Sequence, residues 1–532
     1  MPFFISIEKT VEAVIIAVAF AVLSCLCANK VLGALQALGY DNKSLIKWTK
    51  NKSNLTVERH FILAMCCVLA TSVLSLFFAF LLDWAPIIGL LAYLIFYLLY
   101  IVTDKKIAVR LKPVYTNRFK RLNVAFTLLF AIISYVLISL LNFADYVWGN
   151  TIFYLLKYAV LSVLPMLITP VACLANLVCK IYEVPNNERL INKASKKLKN
   201  SSVKVIGITG SYGKTGVKNA LYAMLSKKYK TLVTPKSFNT PLGVALTVNG
   251  NNLDEYDYFI VEMGARKVGD IAELCKICPP DYAVITGVCE QHIQTFGSFE
   301  NVVKGKGEIL LNVKNWAVIA NDAFELFADY CCEKYLVDCV NEVDSSCNGT
   351  QFTLTLNGDK KEVKSKLLGE HSAANLGLAA KTAAKLGVEF SDIVKAIEEI
   401  DFTEHRLQLI KAGKINILDD GYNGNVKGAA AAIKVLKTFS GRKIVVTPGL
   451  VELGVLEEKE NNQLGASLVG LDCVILVGAN LVTSVKNGYI NAGGNEGNLV
   501  IKPTLSAAEE YLKSYLNDGD TVLFLNDVPD TY

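Results

Sequence analysis

The stretch ITGSYGKTG, residues 208–216, holds the residue types that a phosphate-binding turn needs. Gly210 and Gly213 let the backbone curl until several N–H groups converge on one anion, with Ser211 and Tyr212 between them. Lys214 has the reach for the outer phosphate oxygens, and the Thr215 hydroxyl is a hard donor suited to Mg2+. The spacing departs from the common form once: Ile208 stands where a glycine is expected, and Gly207 precedes it. The competing reading is a tight glycine turn with a solvated lysine. Farther along, Glu262 closes the run YFIVE and His292 follows YAVITGV, so a carboxylate and an imidazole join Thr215 as candidate ligands for Mg2+ bridging phosphates. Lys304 and Lys306, in VVKGKGEIL, either neutralise an anion or are solvated. TPKSFNTPLG, at 234–243, offers Asn239 and Thr240 to the acyl end of a substrate.

These groups need a scaffold that brings strand ends together. VKVIG before the glycine turn has the β-branched content of a buried strand, and VKNALYAMLSKKY after it has helical spacing. YFIVEMG, YAVITGV and WAVIA follow, alternating with helical stretches, which predicts a mostly parallel sheet with helices on both faces. Short alternating runs such as TQFTLTLN, within 335–368, read as small antiparallel strands added to that sheet. From about residue 405, KINILDD, KIVVTPG, CVILVG and TVLFLND alternate with helices in a second, smaller doubly wound unit.

Composition adds a membrane domain. Of 532 residues, 52% are hydrophobic and 19% charged, and the apolar excess lies before residue 180. Five runs, at 11–28, 61–82, 85–103, 124–143 and 152–179, approach the ~20 residues that cross a bilayer core. Lys30, Lys43, Lys47, Lys50, Lys52 and Arg59 fall in one intervening loop, and Lys105, Lys106, Arg110, Lys112, Arg118, Lys120 and Arg121 in another, while the alternate loops carry none. This asymmetry predicts an N-terminus outside and everything after the fifth run in the cytoplasm, where ATP is found. The organisation read from the chain is thus a transmembrane domain of about five helices at 1–180, a basic linker at 181–202, a central α/β nucleotide-binding domain at 203–402 and a Rossmann-like domain at 403–532. The linker is either a lipid-facing or a solvated segment.

Other classes fit less well. Net charge is +5, and thirteen of the basic residues lie in two juxtamembrane loops rather than in one basic stripe, which does not favour a nucleic-acid enzyme. Cys275-x-x-Cys278 has no second pair at zinc spacing, and the cysteines read as reduced thiols. A transporter or regulator driven by ATP hydrolysis remains the alternative of another class, although the apolar runs hold no central Asp or Glu for an ion pathway.

The ordered set ITGSYGKTG, TPKSFNTPLG, VEMGA, ITGVCEQHIQTFGS, KGKGEI, GEHSAANLGLAA, RLQ, DDGYNGN and LVELG resembles the Mur ligase family. The likeness is to its branch that adds D-alanyl-D-alanine to a muramoyl tripeptide. The resemblance implies a central ATP-binding domain, a Rossmann-like C-terminal domain, ATP and Mg2+ as cofactors, and amide formation through an acyl phosphate. It implies that Gly210, Ser211, Tyr212, Gly213, Lys214 and Thr215 hold the phosphates, with Lys214 neutralising charge in transfer. Thr215 and Glu262 match ligands of one Mg2+ and His292 of a second, and Lys306 matches a lysine carried as a metal-bridging carbamate. Asn375 matches an adenine contact, Arg406 a phosphate contact across the domain cleft, and Asp420 and Tyr422 the ribose and adenine contacts.

The partners implied are a muramoyl-peptide or lipid-linked wall precursor and an amine such as D-alanyl-D-alanine, at a membrane. Departures stand beside the matches. A membrane domain replaces the soluble uridine-nucleotide domain; Gly421, Gly424 and Val426 alter the stretch DDGYNGNVKG; and TPGLVELG lacks the usual aspartate after its glycine. A different amine joined to a lipid-linked precursor is therefore the alternative within the class.

Overall fold

A computed structural model describes residues 7–50, 66, 70, 95, 113–148, 167–236, 238–290, 293–422, 425–451, 453–478 and 481–526. The chain forms two compact units, one reaching to Asn186 and the other from Asn187 to Val528. Nearly all of runs 61–82 and 85–103, and the first part of the fifth run, lie outside the described residues.

In the first unit, α1 (Ile7–Ala37), α2 (Asn42–Thr49), α3 (Asn117–Trp148) and the start of α4 (Ile168–Lys199) share one core. On α1 the buried positions are small, with Ala13, Ala17, Ala21 and Ala28 against the bundle, while Val14, Val18, Val22 and Leu26 face outward, each at least 45% exposed. On α3, Leu122, Phe126, Phe130 and Ile138 are buried every four residues or multiples of four, and Val124, Leu128, Ile132, Val136 and Leu140 are exposed. Large aliphatics outside and small residues at a helix contact are the pattern of helices in lipid. Among the described residues, Asn117–Ala144 and Ile168–Lys199 are long and apolar enough to cross a membrane. Asn176 ties the turn after α1 to α4, donating to Tyr40 O (2.9 Å) and Asn42 Oδ1 (2.7 Å). The polar stretch expected as a linker is helical to Lys199 and continuous with the apolar part of α4, although Pro185 lies inside the helix.

In the second unit, a six-stranded parallel sheet has the order β2-β3-β1-β4-β5-β6, from β1 (Lys204–Thr209), β2 (Thr231–Val233), β3 (Tyr258–Glu262), β4 (Tyr282–Ile285), β5 (Trp316–Ile319) and β6 (Glu333–Leu336). Alternate residues feed two cores on opposite faces: Val205, Phe259 and Val261 one, Ile206, Ile208 and Ile260 the other. Gly207 has a packing reason, since a Cβ there would stand 2.9 Å from Ile309 Cδ1 and 3.2 Å from Met263 Cε. The antiparallel strands β7 (Val340–Ser346), β8 (Gly349–Leu356) and β9 (Asp359–Ser365) make a separate three-stranded sheet rather than extending the large one. Their Phe352 and Leu354 join the core of the parallel sheet through its covering helices, so burial is achieved by face packing without edge pairing.

The last sheet has the order β10-β11-β15-β12-β13-β14, from β10 (Gln408–Ala412), β11 (Ile415–Asp420), β12 (Lys443–Thr447), β13 (Cys473–Val477), β14 (Leu499–Lys502) and β15 (Thr521–Leu525). Only β10 runs antiparallel, on the edge. In the central sheet the chain leaves β1 for strands on either side, and such a switch point opens a crevice at the carboxyl ends.

Candidate active site

The glycine turn lies in that crevice, between β1 and α5 (Lys214–Leu225). Gly210 and Gly213 take φ of 149° and 77°. A Cβ on Gly210 would lie 2.2 Å from Thr286 Oγ1, and one on Gly213 2.5 Å from Asn375 Oδ1, so neither place admits a side chain. The turn is braced on the end of β4: Ser211 N donates to Gly287 O at 2.7 Å, and the Thr286 hydroxyl donates to Tyr212 O. Lys214 Nζ curls over the turn and donates to Gly210 O (2.7 Å) and Ser211 O (3.1 Å). Burial holds its ammonium below the usual lysine range, offset in part by Glu262.

Glu262, at the end of β3, accepts from Thr215 Oγ1 (3.0 Å) and Asn239 Nδ2 (3.1 Å). It also pairs with Lys218 at 3.3 Å, both side chains being 2% exposed. Lys218 donates further to Thr234 O (3.0 Å) and to Lys236 O, so this buried charge pair is fully hydrogen-bonded. Among the described residues there is no group of three His, Cys, Asp or Glu side chains that suits a metal. A hydroxyl with one carboxylate is nevertheless a donor set for Mg2+, which takes its other ligands from phosphates and water.

Across a cavity of about 680 Å³ stand Asn375, Arg406, Asp420 and Tyr422. Asn375, on α9 (Glu370–Lys385), fills the space beside Gly213 and Gly216. Arg406 Nη1 donates to Tyr422 O at 2.5 Å, and burial lowers the guanidinium pKa while Asp420 and Glu262 act in the opposite sense. His405 and Leu407 on either side of it have φ of 59° and 46°, and Asp420 Oδ1 fixes this turn by accepting from Leu407 N at 2.9 Å. Tyr422 is 61% exposed and meets the His405 ring edge to face. His371 also lines the cavity, and burial pulls its imidazole down to about 4.

Other candidates are placed elsewhere. Thr240 does not line the cavity; its hydroxyl caps α6 (Pro241–Gly250), accepting from Gly243 N at 3.4 Å. Lys306, on α8 (Phe299–Gly307), is buried behind the wall with Nζ 3.5 Å from Ala265 O and over the Phe296 ring. Burial, and next the charge of Lys214, pushes its ammonium down to about 7. Lys304 is on the same helix, and His292 lies outside the described residues. Cys275 and Cys278 are buried with thiols pushed up by burial, unlike a redox pair.

Several residues in and around the cavity escaped the sequence reading. Lys218 lies four residues after Lys214 on one helix face, a spacing that does not distinguish a buried cation from a solvated one. Lys427, in the first turn of α11 (Val426–Leu436), reaches Asp322 at 2.7 Å and Tyr212 Oη at 3.4 Å, while Tyr212 Oη donates to the same Asp322 carboxylate. Asn219 Nδ2 donates to Thr403 Oγ1 at 2.9 Å. These contacts join the glycine turn and α5 to the C-terminal sheet domain.

Comparison with known proteins agrees with this arrangement. The Mur ligase middle domain family matches residues 208–383, and the Mur ligase glutamate ligase domain family matches residues 405–525, together more than half of the chain. The UDP-N-acetylmuramoyl-tripeptide–D-alanyl-D-alanine ligase of Bacillus subtilis is 31% identical over 281 residues, which cover 51% of this chain and 61% of that protein. The Escherichia coli ligase of the same name is 29% identical over 345 residues, covering 61% and 76%. The crystal structure of MurF from Acinetobacter baumannii superposes with a TM-score of 0.59 at 26% identity, over 65% of this chain and 78% of that one. The chain thus spans less than two thirds of the Bacillus relative, and the helical unit before residue 187 precedes both matched domains. With the glycine turn, the Glu262 cluster and the facing arginine inside the matched domains, the chain belongs to the Mur ligase family.

Proposed function

We propose that the protein is an ATP-dependent ligase joining a carboxylate to an amine, and that it adds D-alanyl-D-alanine to a muramoyl-peptide precursor at the membrane. The observation that carries this reading is the cavity in which Lys214, Thr215 and Glu262 face Arg406 and Asp420. A substrate carboxylate oxygen attacks the γ-phosphorus of ATP, the bond to the β-phosphate oxygen breaks, and ADP leaves. The amine nitrogen then attacks the acyl carbon, and collapse of the tetrahedral adduct breaks the C–O bond to phosphate as the nitrogen loses its proton. Lys214 and Arg406 offset charge on the transferring group from two sides. Asn375 and Tyr422 hold the base and Asp420 the ribose, and closure between the two sheet domains excludes water.

Thr215 and Glu262 would hold a Mg2+ that, when bound, offsets charge on the phosphate oxygens. His292 is assigned to a second ion by the family pattern. Lys306 is suited to carbamate formation: an amine with a lowered pKa is substantially neutral near pH 7, and its nitrogen adds to CO2 with release of a proton. Asn239 and Thr240 are assigned to the acyl end of the substrate, and the Asn239 bond to Glu262 would place that end beside the metal ligands.

Residues 1–180 act as the membrane domain, 203–402 as the nucleotide domain and 403–532 as the amine-presenting domain, with the N-terminus outside and both sheet domains in the cytoplasm. The lipid-type sorting of α1 and α3 supports a lipid-linked acceptor, which is concentrated in two dimensions. The test is ADP release by the full-length protein in bilayers, with UDP-linked and lipid-linked muramoyl peptides and D-alanyl-D-alanine. The expected result is faster release with the lipid-linked acceptor and a product heavier by one dipeptide less water. Product with another amine alone overturns the dipeptide assignment, and no stimulation by any carboxylate–amine pair overturns the ligase reading.

A further inference from the structure

The turn after α1 sets a short helix across the end of the bundle. Asp41 caps α2, accepting from Ser44 N at 2.8 Å, and Leu45 turns inward, fully buried. Lys43, Ile46, Lys47 and Lys50 then fall at i, i+3, i+4 and i+7, on one outward face, and all four are exposed. None of these lysines forms an ion pair with a described residue, and the Asp41 carboxylate is committed to the cap. An aliphatic residue among three exposed ammonium groups is suited to a partner that is anionic and apolar at once.

The surroundings fix where this face sits. Tyr40, just before α2, has the Arg118 guanidinium 3.7 Å above its ring, and Gln36 exchanges two 2.8 Å hydrogen bonds with the backbone of Val114. The ends of α1 and α3 and the middle of α4 therefore meet at one level. Beside it, Tyr115, Ile181 and Tyr182 are exposed by 57%, 76% and 61%. Aromatic rings and basic residues at the ends of apolar helices mark the layer where hydrocarbon gives way to headgroups.

We infer that the outward face of α2 is a docking surface for anionic phospholipid headgroups, with Lys43, Lys47 and Lys50 on the phosphates and Ile46 at the acyl boundary. Among the described residues none of these lysines pairs with a carboxylate, and the exposed Tyr115, Ile181 and Tyr182 nearby are aromatic or aliphatic, which favours a lipid surface over a protein partner. Each lysine near an anionic surface contributes about a fivefold gain in binding. This inference does not depend on the ligase reading.

The test places a photoreactive benzophenone amino acid at position 46 of the full-length protein, in nanodiscs of phosphatidylcholine alone or with about one part in three phosphatidylglycerol. Mass analysis of the adducts should show phosphatidylglycerol captured at least about fivefold above its share of the bilayer. Soluble glycerol phosphate should not compete. The preference should vanish in K43Q/K47Q/K50Q and persist in K43R/K47R/K50R; if the first variant fails to incorporate, the second variant and the two bilayers decide. Capture in proportion to lipid composition overturns the inference. Adducts with a second copy or another protein also overturn it, and so does an undiminished preference in the glutamine variant.

Discussion

Helix α1 and strand β1 sort the same kinds of side chain in opposite ways. In α1 the contact face is alanine and the valines and leucine point outward; in β1, Val205, Ile206 and Ile208 are buried and Lys204 is exposed. Burying large aliphatics releases water in the second unit, but beside lipid there is nothing to release, and close backbone approach decides which face turns inward. Charge follows the same division. Glu183 in the first unit is nearly buried while its partners Arg118 and Arg121 remain 34% and 48% exposed, whereas Lys218 and Glu262 are both enclosed. An ion pair that keeps one end wet tolerates loss of a partner better than one with no access to water.

Lys218→Met tests the enclosed end of that contrast. It leaves Glu262 buried beside Thr215 and Asn239 without the cation in contact with it, with Lys214 and Arg406 acting only from farther off, and should cost about 3 kcal/mol. Thermal melting of the full-length protein should show the loss, and the double change K218M/E262L should recover most of it. A single-variant melting point at the wild-type value would mean that the site is wetter than its burial implies. Next in size is Lys214→Ala, expected to slow ADP release about 100-fold, or ~2.7 kcal/mol, with melting unchanged because the side chain only folds over its own loop.

In the first unit, Ala21→Leu should destabilise the α1–α3 contact by about 1–3 kcal/mol, and Val22→Leu should be close to neutral. The reverse order in detergent unfolding would show that α1 is sorted as a water-soluble helix. The smallest effect belongs to the exposed Lys427–Asp322 pair. D322N or K427M should change ADP release by no more than about 1 kcal/mol, less at high salt, and the double variant should equal either single one. Additive losses would mean that the two residues act separately.

These residues also show what a linear reading can reach. The glycine turn was legible because its chemistry is local, and Glu262 because a carboxylate closing an apolar run sits at a strand end wherever the sheet is parallel. The burial of β1 under helices on both faces was legible from its β-branched run and the alternation of strands with helices. Lys218 was not, since enclosure depends on Thr234 and Lys236 arriving from another loop. Asp322 and Lys427 lie 105 residues apart in sequence, and no spacing rule links them. Gly207 is outside the glycine turn, answering to Ile309, which is close only in the fold. The separate sheet β7–β9 was read as an extension because alternation predicts a half-buried strand without naming the surface that covers it.

Pro185 has a consequence for hydration. A proline inside a helix leaves the carbonyl four residues earlier, here Ile181 O, without its backbone donor. In hydrocarbon that oxygen would have to find another donor, whereas at the wet edge of a bilayer water supplies one at little cost. Water is thus the cheapest partner for that oxygen, and the 76% and 61% exposure of Ile181 and Tyr182 leaves this turn of α4 open to it.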